Sequence, residues 1–546
     1  MHEQLETGLR DFTLKSSDQF SRLHERDNNV VNIKLNYKMH ISLENFMELF
    51  LQHSSIFILL FATTCILLLY QRLQENTGLP PGPFSWPIIG NLHLLGSKPH
   101  ERLTELAKTF GDVYRLQLGS RRVIVLNSLD CVKEALVKKS SDFSNRPPLN
   151  TLRAFDMDGR SIAFGPYSQR YERNRRLALL ALHSYMLKHE QLSSHTKECV
   201  KCLCEQFQKH NQHFDPAFDV AQGIAELNMI NIFGVESVNE KRTEELRLLL
   251  KSSSEFIKNN NINNLADFLP WFTPFLQHSF DDLAGLIQKL ADFVKAIYLE
   301  KKKNYINDNV VEVRCVSDAL ARCFESGTNE RLVALGEELD LNEDTIVSLL
   351  TDIFGASVET TTATMLWAIY CLACHPNIQD RLYQELKDVV GLNCISVNDK
   401  NRLPFLEATV LETLRYSTVL PLAIPHYAER ETTVGPYRIP EDTIVFVNLW
   451  AVNHDERVFK DAFKFDPGRF IDENGEVNRA RFSSIPFSTG TRKCLGHLLA
   501  QLQLFLLLGG IVHKYRIELS GCPSLAPEFG FILRPQPFKI NVYPRQ

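Results

Sequence analysis

One cysteine in a loop punctuated by glycines constrains this chain more than any other feature. The loop reads Phe487-Ser-Thr-Gly490-Thr-Arg492-Lys-Cys494-Leu-Gly496, and a strongly apolar stretch typical of a buried helix follows it. Free N–H groups and the positive dipole end at a helix N-terminus lower the pKa of a nearby thiol. The glycines let the backbone turn tightly beside a flat ligand. The pattern predicts a cysteine that binds a haem iron, with an arginine for a propionate.

This pattern resembles the signature F-x-x-G-x-R-x-C-x-G of the cytochrome P-450 family. All five fixed positions match, at Phe487, Gly490, Arg492, Cys494 and Gly496. The resemblance implies haem b as the cofactor, with Cys494 as its axial metal ligand and the other four residues in contact with it. The alternative for a lone cysteine is a buried structural thiol before a helix, which the complete pattern disfavours.

A second motif lies in a long helical segment at about residues 340–374. It resembles the family's central-helix pattern A/G-G-x-D/E-T through Ala356, Glu359 and Thr360, while Ser357 replaces the usual glycine. Hydroxyls of threonines in a helix can bind carbonyls of the preceding turn and open the helix locally. The resemblance implies that Glu359 and Thr360 deliver protons to dioxygen. Ordinary helix packing is the alternative for this segment taken alone.

A third motif is Glu412-Thr-Leu-Arg415, with two opposite charges spaced to share one helix face. It resembles the family's E-x-x-R, which joins an arginine from a downstream P-x-R-F. That arginine is Arg469 here, and Gly468 stands where an acidic residue is common. The resemblance implies a buried charge network with a structural role.

The resemblance implies further contacts to the haem and to a substrate. In the segment Tyr171-Glu-Arg-Asn-Arg175, either Arg175 or Arg173 is a candidate for a propionate, and so is His426; a surface cation is the alternative for each. The expected substrate pocket is apolar. Its predicted walls comprise Phe354, Ala356, Val419, Leu420, Ala423, Ile424 and Phe268.

The chain shows no long linker or low-complexity run after Asn91, which predicts one large domain, although its length alone suggests three or four. The formal charge of −5 gives no indication of nucleic-acid binding, and twelve scattered cysteines suggest a reducing compartment. Cys-x-x-Cys spacings at Cys199–Cys202 and Cys371–Cys374 make a zinc site conceivable, although buried thiols are favoured. We expect a mainly α protein with small β-sheets, chiefly near its N-terminal side, and a cytochrome P-450 fold.

The N-terminal region predicts attachment to a membrane. Residues 1–48 are polar, residues 49–71 carry no charge and match the length of a transmembrane helix, and 72–91 form a proline-rich linker before a catalytic domain at 92–546. The alternatives are a buried core helix and a cleaved signal peptide, but a core helix rarely stands alone before a proline-rich linker, and no small-residue cleavage site follows. Since related proteins begin just before the anchor, Met39 or Met47 is a candidate start. We expect a single-pass endoplasmic reticulum protein with a cytosolic catalytic domain.

The resemblance implies a monooxygenase that inserts one oxygen atom of O2 into a lipophilic substrate. No phosphate-binding loop of the G-x-G-x-x-G type is evident, so we expect electrons from NADPH to arrive through a membrane-bound reductase, with cytochrome b5 as a second candidate donor. Arg492 and Lys493 are candidates for docking that partner. A haem-thiolate isomerase or dehydratase, and a non-catalytic haem-binding protein, remain open. Asp352-Ile-Phe-Gly-Ala and Ile424-Pro-His look most like the animal steroid 17α-hydroxylase and aromatic-hydrocarbon-hydroxylase group.

Overall fold

The computed structural model describes residues 77–545 and residues 59 and 63, with gaps at 157–158, 211, 260–264, 309–312, 326–341, 479–482 and 522–526. Leu79–Gln546 forms one compact unit, mainly helical with small sheets, as predicted. The predicted extension at 1–48 lies outside the described residues, and so does the predicted anchor at 49–71 except for residues 59 and 63.

The helices are numbered in chain order within the described residues. The α-helices are α1 (Pro99–Phe110), α2 (Leu129–Lys133), α3 (Ser140–Phe143), α4 (Asn150–Phe155), α5 (Gln169–Met186), α6 (His189–Lys209), α7 (Ala217–Phe233), α8 (Glu240–Asn259), α9 (Leu265–Phe268), α10 (Thr273–Asp308), α11 (Val316–Glu325), α12 (Glu343–Cys374), α13 (Pro376–Val390), α14 (Pro404–Ser417), α15 (Leu449–Asn453) and α16 (His497–Lys514). A π-helical turn spans Glu134–Lys138. Short 3₁₀ turns span Leu92–Leu94, Val235–Ser237, Pro270–Phe272, Val397–Arg402, Pro467–Phe470 and Gly490–Arg492.

Within the part of the chain that the structure describes, the strands form one four-stranded sheet and three pairs. The strands are β1 (Val113–Leu118), β2 (Arg121–Leu126), β3 (His426–Ala428), β4 (Thr432–Val434), β5 (Tyr437–Ile439), β6 (Thr443–Val447), β7 (Tyr515–Leu519), β8 (Pro527–Glu528), β9 (Arg534–Pro535) and β10 (Ile540–Pro544). The large sheet has the order β1-β2-β6-β3, with β2 parallel to β6 and Val123 opposite Ile444. Most strands therefore come from the C-terminal part of the chain, so the expectation of sheets chiefly on the N-terminal side is wrong.

The proline-rich segment from Leu79 onward lies against the catalytic domain. The Arg115 N–H donates to the Pro81 carbonyl at 2.8 Å, and the Gln117 N–H donates to the Asn91 side-chain oxygen at 2.8 Å. Both acceptors lie beside β1, so this part of the predicted linker at 72–91 is bound along the edge of the sheet.

Helix α12 forms the centre of the core. The Asn342 side chain caps its first turn by accepting from the Thr345 N–H at 3.0 Å, and Pro376 follows its last residues. Residues 361–373 are all buried, which is expected of a helix that is apolar on every side. It packs against α7, α10, α14 and α16.

Helix α16 is apolar on all faces and lies beside α12. Among the described residues it is the one helix whose length and hydropathy would suit a membrane span, yet 56% of it is buried inside the protein. It is therefore a core helix, and its N-terminus brings the cysteine loop against the centre of the domain.

Candidate functional site

The cysteine loop is a tight turn held by its own backbone. The Cys494 N–H donates to the Phe487 carbonyl, and the Lys493 N–H donates to the Gly490 carbonyl, both at 3.1 Å. Gly490 has a φ of +75°, and a Cβ there would lie 1.9 Å from the Leu136 carbonyl oxygen. Only glycine fits this close approach to the Glu134–Lys138 turn, which fixes where the loop lies.

The Cys494 sulfur lies deep in the protein and is exposed to an internal cavity. Burial raises the pKa of the thiol above its ordinary value, and this exceeds the lowering by the Gly496 N–H, Arg175 and Lys493. The lowered pKa predicted from the sequence is therefore wrong for the protein alone, because desolvation is the larger effect. A bound metal ion would reverse the balance, since it favours the thiolate.

The cavity has a volume of about 710 Å³, which is the size of a small-molecule site. It lies between the cysteine loop and α12, with side chains of α8 and α10 at its far side. Its wall includes the predicted pocket residues Phe354, Ala356, Val419, Leu420, Ala423 and Ile424.

Phe268 does not belong to this wall. It packs against the apolar cluster on one face of the large sheet, and its carbonyl accepts from the Ser120 N–H at 2.9 Å. A Cβ on Gly119 would lie 2.2 Å from the same carbonyl. The prediction that Phe268 lines the pocket is wrong, because this residue docks α9 onto the turn between β1 and β2.

Two buried guanidinium groups lie at one side of the cavity. Arg492 donates to the Ser144 and Gly165 carbonyls at 2.8 Å and stacks over the Tyr171 ring. Arg146 donates to the Ala163 carbonyl at 3.0 Å and to the Ile424 and Pro425 carbonyls at 2.9 Å. Burial lowers the pKa of Arg492 to about 10, and burial together with the charge of Arg492 lowers that of Arg146 well below its ordinary value.

His426 and Arg175 border the same cavity. The Nδ1 of His426 lies 2.8 Å from the Phe143 carbonyl, so that nitrogen carries the proton. Burial, and then the charges of Arg146 and Arg492, lower the pKa of His426 well below its ordinary value. Arg175 donates to the Lys493 carbonyl at 2.5 Å, whereas the alternative candidate, Arg173, is not on the wall.

This cluster has positive charge without a matching negative group. Among the described residues, neither Arg146 nor Arg492 pairs with a carboxylate; both bind carbonyl oxygens. Buried cations of this kind need an anionic partner. Since a haem presents two carboxylates and a metal that binds a thiolate, the residues fit that cofactor. Arg492 is 8% exposed, so its predicted role in docking a protein partner is wrong.

The threonine segment of α12 is helical throughout. The Thr360 hydroxyl donates to the Ala356 carbonyl at 2.7 Å, and the Thr364 hydroxyl donates to the Thr360 carbonyl at 2.8 Å. Ser357 likewise donates to the Phe354 carbonyl at 2.9 Å. The carboxylate of Glu359 forms an ion pair with Arg534. Glu359 and Thr360 both lie on the cavity wall.

Glu412, Arg415 and Arg469 form a buried network at the end of α14. Arg415 binds both oxygens of Glu412 at 2.7 and 2.9 Å, and Arg469 binds one of them at 3.1 Å. Arg415 also donates to the Asn453 and Ala462 carbonyls. The network therefore ties α14 to the chain that leads to the cysteine loop.

The sequence interpretation gave no site role to several charged residues on the cavity wall. Arg146, Arg534 and Asp352 are among them. Asp352 accepts from the Ile162 N–H at 2.6 Å and the Ser161 hydroxyl at 3.1 Å, and burial raises its pKa to about 7. No sequence motif near Arg146 or Arg534 identifies either residue as part of the site. Asp352 lies close to the threonine motif, and a charged residue in an otherwise apolar helix could have been recognised as a candidate.

Comparisons with known proteins agree with this architecture. The sequence profile of the family described as cytochrome P-450 matches residues 80–542. Cytochrome P-450 1A1 of Opsanus tau is 33% identical in an alignment of 494 positions, which covers 86% of this chain and 93% of the relative. Cytochrome P-450 1B1 of Mus musculus is 32% identical over 88% of this chain and 90% of its own length.

A third relative carries a different name. Steroid 17-alpha-hydroxylase/17,20 lyase of Squalus acanthias is 32% identical in an alignment of 480 positions, which covers 86% of this chain and 93% of the relative. The predicted resemblance to this group of animal proteins is thereby confirmed. Because the profile and the relatives cover the cavity, the cysteine loop and the core helices alike, the chain belongs to the cytochrome P-450 family and is a haem-thiolate monooxygenase.

Proposed function

We propose that Cys494 binds haem b as its axial thiolate and that the protein oxidises a lipophilic substrate in the cavity, such as a steroid, a fatty acid or an aromatic xenobiotic. The observation that carries the proposal is the position of the Cys494 sulfur, which faces a largely apolar cavity beside buried arginines. When bound, haem b supplies the redox centre at which dioxygen is activated and one oxygen atom is transferred to the substrate.

Arg146, Arg492, Arg175 and His426 are the proposed partners of the haem propionates. Arg146 and Arg492 keep their positions through bonds to carbonyl oxygens, so they are oriented before the cofactor arrives. His426 is neutral beside these cations. A carboxylate nearby favours its protonated form, in which both ring nitrogens donate.

Replacing Arg146 by alanine should weaken haem binding roughly 10- to 100-fold, because a hydrogen bond between charged groups is lost in a buried place. The measurement is the transfer of haem from the purified protein to an apoprotein acceptor. Arg153→Ala is the matched control, since Arg153 lies in the nearby helix α4 but is exposed. Equal haem retention in both variants would remove Arg146 from the cofactor site.

Glu359 and Thr360 are proposed to deliver protons to the reacting oxygen. Both lie on the cavity wall, where the apolar surroundings exclude most water. The Thr360 hydroxyl donates to the Ala356 carbonyl, which leaves its oxygen lone pairs free to accept a proton or a hydrogen bond. Glu359 is the neighbouring acid that can take up a proton and release it.

Thr360→Ala should lower product formed per NADPH by roughly tenfold and raise peroxide release, while haem content stays normal. The reason is that a positioned group in a proton path is lost while the cofactor contacts remain. Thr364→Ala is the matched control, since its hydroxyl makes the same type of bond one turn further along α12. The same loss of coupling in both variants would contradict a specific role for Thr360.

The electrons come from a redox partner, which we propose to be a membrane-bound NADPH reductase, with cytochrome b5 as a second donor. Lys493 lies beside the cysteine, and Arg170 and Arg176 are exposed on α5, the helix that also carries Arg175. These cations suit an acidic protein surface.

Attachment to the endoplasmic reticulum through residues 49–71, with the catalytic domain in the cytosol, is also proposed. The uncharged stretch in the sequence supports it. Within the compact unit, Trp271 is 57% exposed and Phe275 is 78% exposed, which suits contact with a lipid surface.

The proposed function is tested with purified protein, NADPH reductase and a panel of steroids, fatty acids and planar aromatics. A substrate that enters the cavity should change the haem absorption spectrum, and NADPH consumption should then rise together with oxygenated product. Product formation without NADPH would point to an isomerase or a dehydratase. Haem binding with neither NADPH use nor product would point to a non-catalytic protein.

A further inference from the structure

The acid on the central helix has a cationic partner from the other end of the domain. Glu359 of α12 and Arg534 of β9 form an ion pair. Both side chains lie on the cavity wall, with 26% of Glu359 and 25% of Arg534 exposed. Since most of the surrounding wall is apolar, the pair is screened less than one on the protein surface.

The backbone that carries Arg534 is fixed relative to α12. Its neighbour Leu533 is fully buried, its N–H donates to the Val419 carbonyl at 2.8 Å, and its carbonyl accepts from the Trp367 indole at 3.1 Å. Trp367 belongs to α12, two turns beyond Glu359. Arg534 therefore reaches the Glu359 carboxylate from a backbone segment that is itself hydrogen-bonded to α12. A positioning residue requires such a fixed support.

We propose that Arg534 is a positioning residue for proton delivery: it holds the Glu359 carboxylate charged and oriented beside Thr360 between turnovers. Glu359 takes up a proton that water relays from bulk solvent, releases it towards the cavity, and returns to the carboxylate that Arg534 binds. Each cycle moves one proton from solvent to the cavity and leaves Glu359 with the charge it had before. This inference rests on the proposed function, because it assigns Arg534 a role through Glu359.

The first measurement asks whether the pair exists, and it needs no turnover. Thermal unfolding is compared for the holoprotein, Arg534→Ala, Glu359→Gln and the double variant. If the two side chains interact, the shifts in midpoint are not additive, whereas independent sites give additive shifts. Arg516→Ala is the matched control, since Arg516 pairs with Glu518 on the exposed surface of β7. Additive shifts would overturn the inference.

The second measurement asks whether the pair acts in proton delivery. Arg534→Ala should lower product formed per NADPH roughly fivefold and increase the solvent deuterium isotope effect, in line with a coupling of about 1 kcal/mol. Arg534→Lys should restore most of the product formed per NADPH, because lysine again places a cation beside Glu359. In the Glu359→Gln background, Arg534→Ala should cause no further loss.

The outcomes separate the inference from the proposed function. If Arg534→Ala lowers product formed per NADPH as much in the Glu359→Gln variant as in the unmodified protein, the inference is overturned. Arg534 would then act on the substrate or on folding, and not through Glu359. If product formed per NADPH is unchanged in Arg534→Ala but clearly lower in Glu359→Gln, the inference is also overturned. The proposed role of Glu359 then stays intact. Unchanged coupling in Glu359→Gln shows instead that the proposed proton path is wrong.

Discussion

Cys494→His abolishes the carbon monoxide difference spectrum typical of a thiolate-bound haem, and monooxygenase activity disappears with it. This is the largest effect that we expect from one substitution. An imidazole in place of the sulfur still binds iron, but it lacks the electron donation that favours O–O cleavage. The measurement is the spectrum of the reduced protein under carbon monoxide, together with total haem content.

The control for this substitution is Cys394→Ser. Cys394 is a free, exposed cysteine far from the cavity wall, so its loss should leave both the spectrum and the activity at the level of the unmodified protein. A thiolate-type spectrum that survives in Cys494→His would assign the iron ligand to another cysteine.

Glu412→Ala should yield little folded, haem-loaded protein. Glu412 and Arg415 are both fully buried, and the carboxylate also binds Arg469 and the Asp466 N–H at 2.8 Å. Removing it leaves two guanidinium groups without their partner, and breaking a buried pair in this way costs about 3–5 kcal/mol. The measurements are the soluble yield, the haem-to-protein ratio and the midpoint of urea unfolding.

Glu198→Ala provides the matched comparison. Glu198 and Lys201 have the same spacing on a helix and lie 3.0 Å apart, but their side chains are 61% and 55% exposed. An exposed pair contributes little to stability, so this variant should behave like the unmodified protein. Similar yields and midpoints for the two variants would show that the buried network is dispensable.

Local patterns identified many of the residues that lie on the cavity wall, because the members of each pattern are close in sequence. The cysteine loop contains both the turn-forming Gly490 and Cys494 within ten residues. The central helix was expected at about residues 340–374 and spans Glu343–Cys374, since its cap and the following proline are local signals. Thr443–Val447 is a strand, as its β-branched residues predict.

Features that depend on distant partners were predicted only where the family resemblance implied them, as for Arg469 and Glu412. Arg146 reaches the cavity because its segment packs against the Ile424–Pro425 carbonyls, and no spacing in the sequence records that contact. Arg534 meets Glu359 for the same reason. Phe268 was assigned to the pocket from its apolar surroundings, but such surroundings do not distinguish a cavity wall from a core. The pKa of Cys494 depends on two opposing effects: burial by distant parts of the chain raises it, and the Gly496 N–H at the start of the helix lowers it.

The order of strands in the large sheet has a consequence for how the chain is made. The β1–β2 hairpin completes its pairing only with β6, whose Ile444 lies opposite Val123. During synthesis the hairpin leaves the ribosome long before that strand, with the edge of β2 open. Unpaired edges attract other chains, and contacts between distant segments form slowly. Folding of the N-terminal hairpin into its sheet must therefore wait for the last quarter of the polypeptide, which makes nascent chains of this protein natural clients for chaperones.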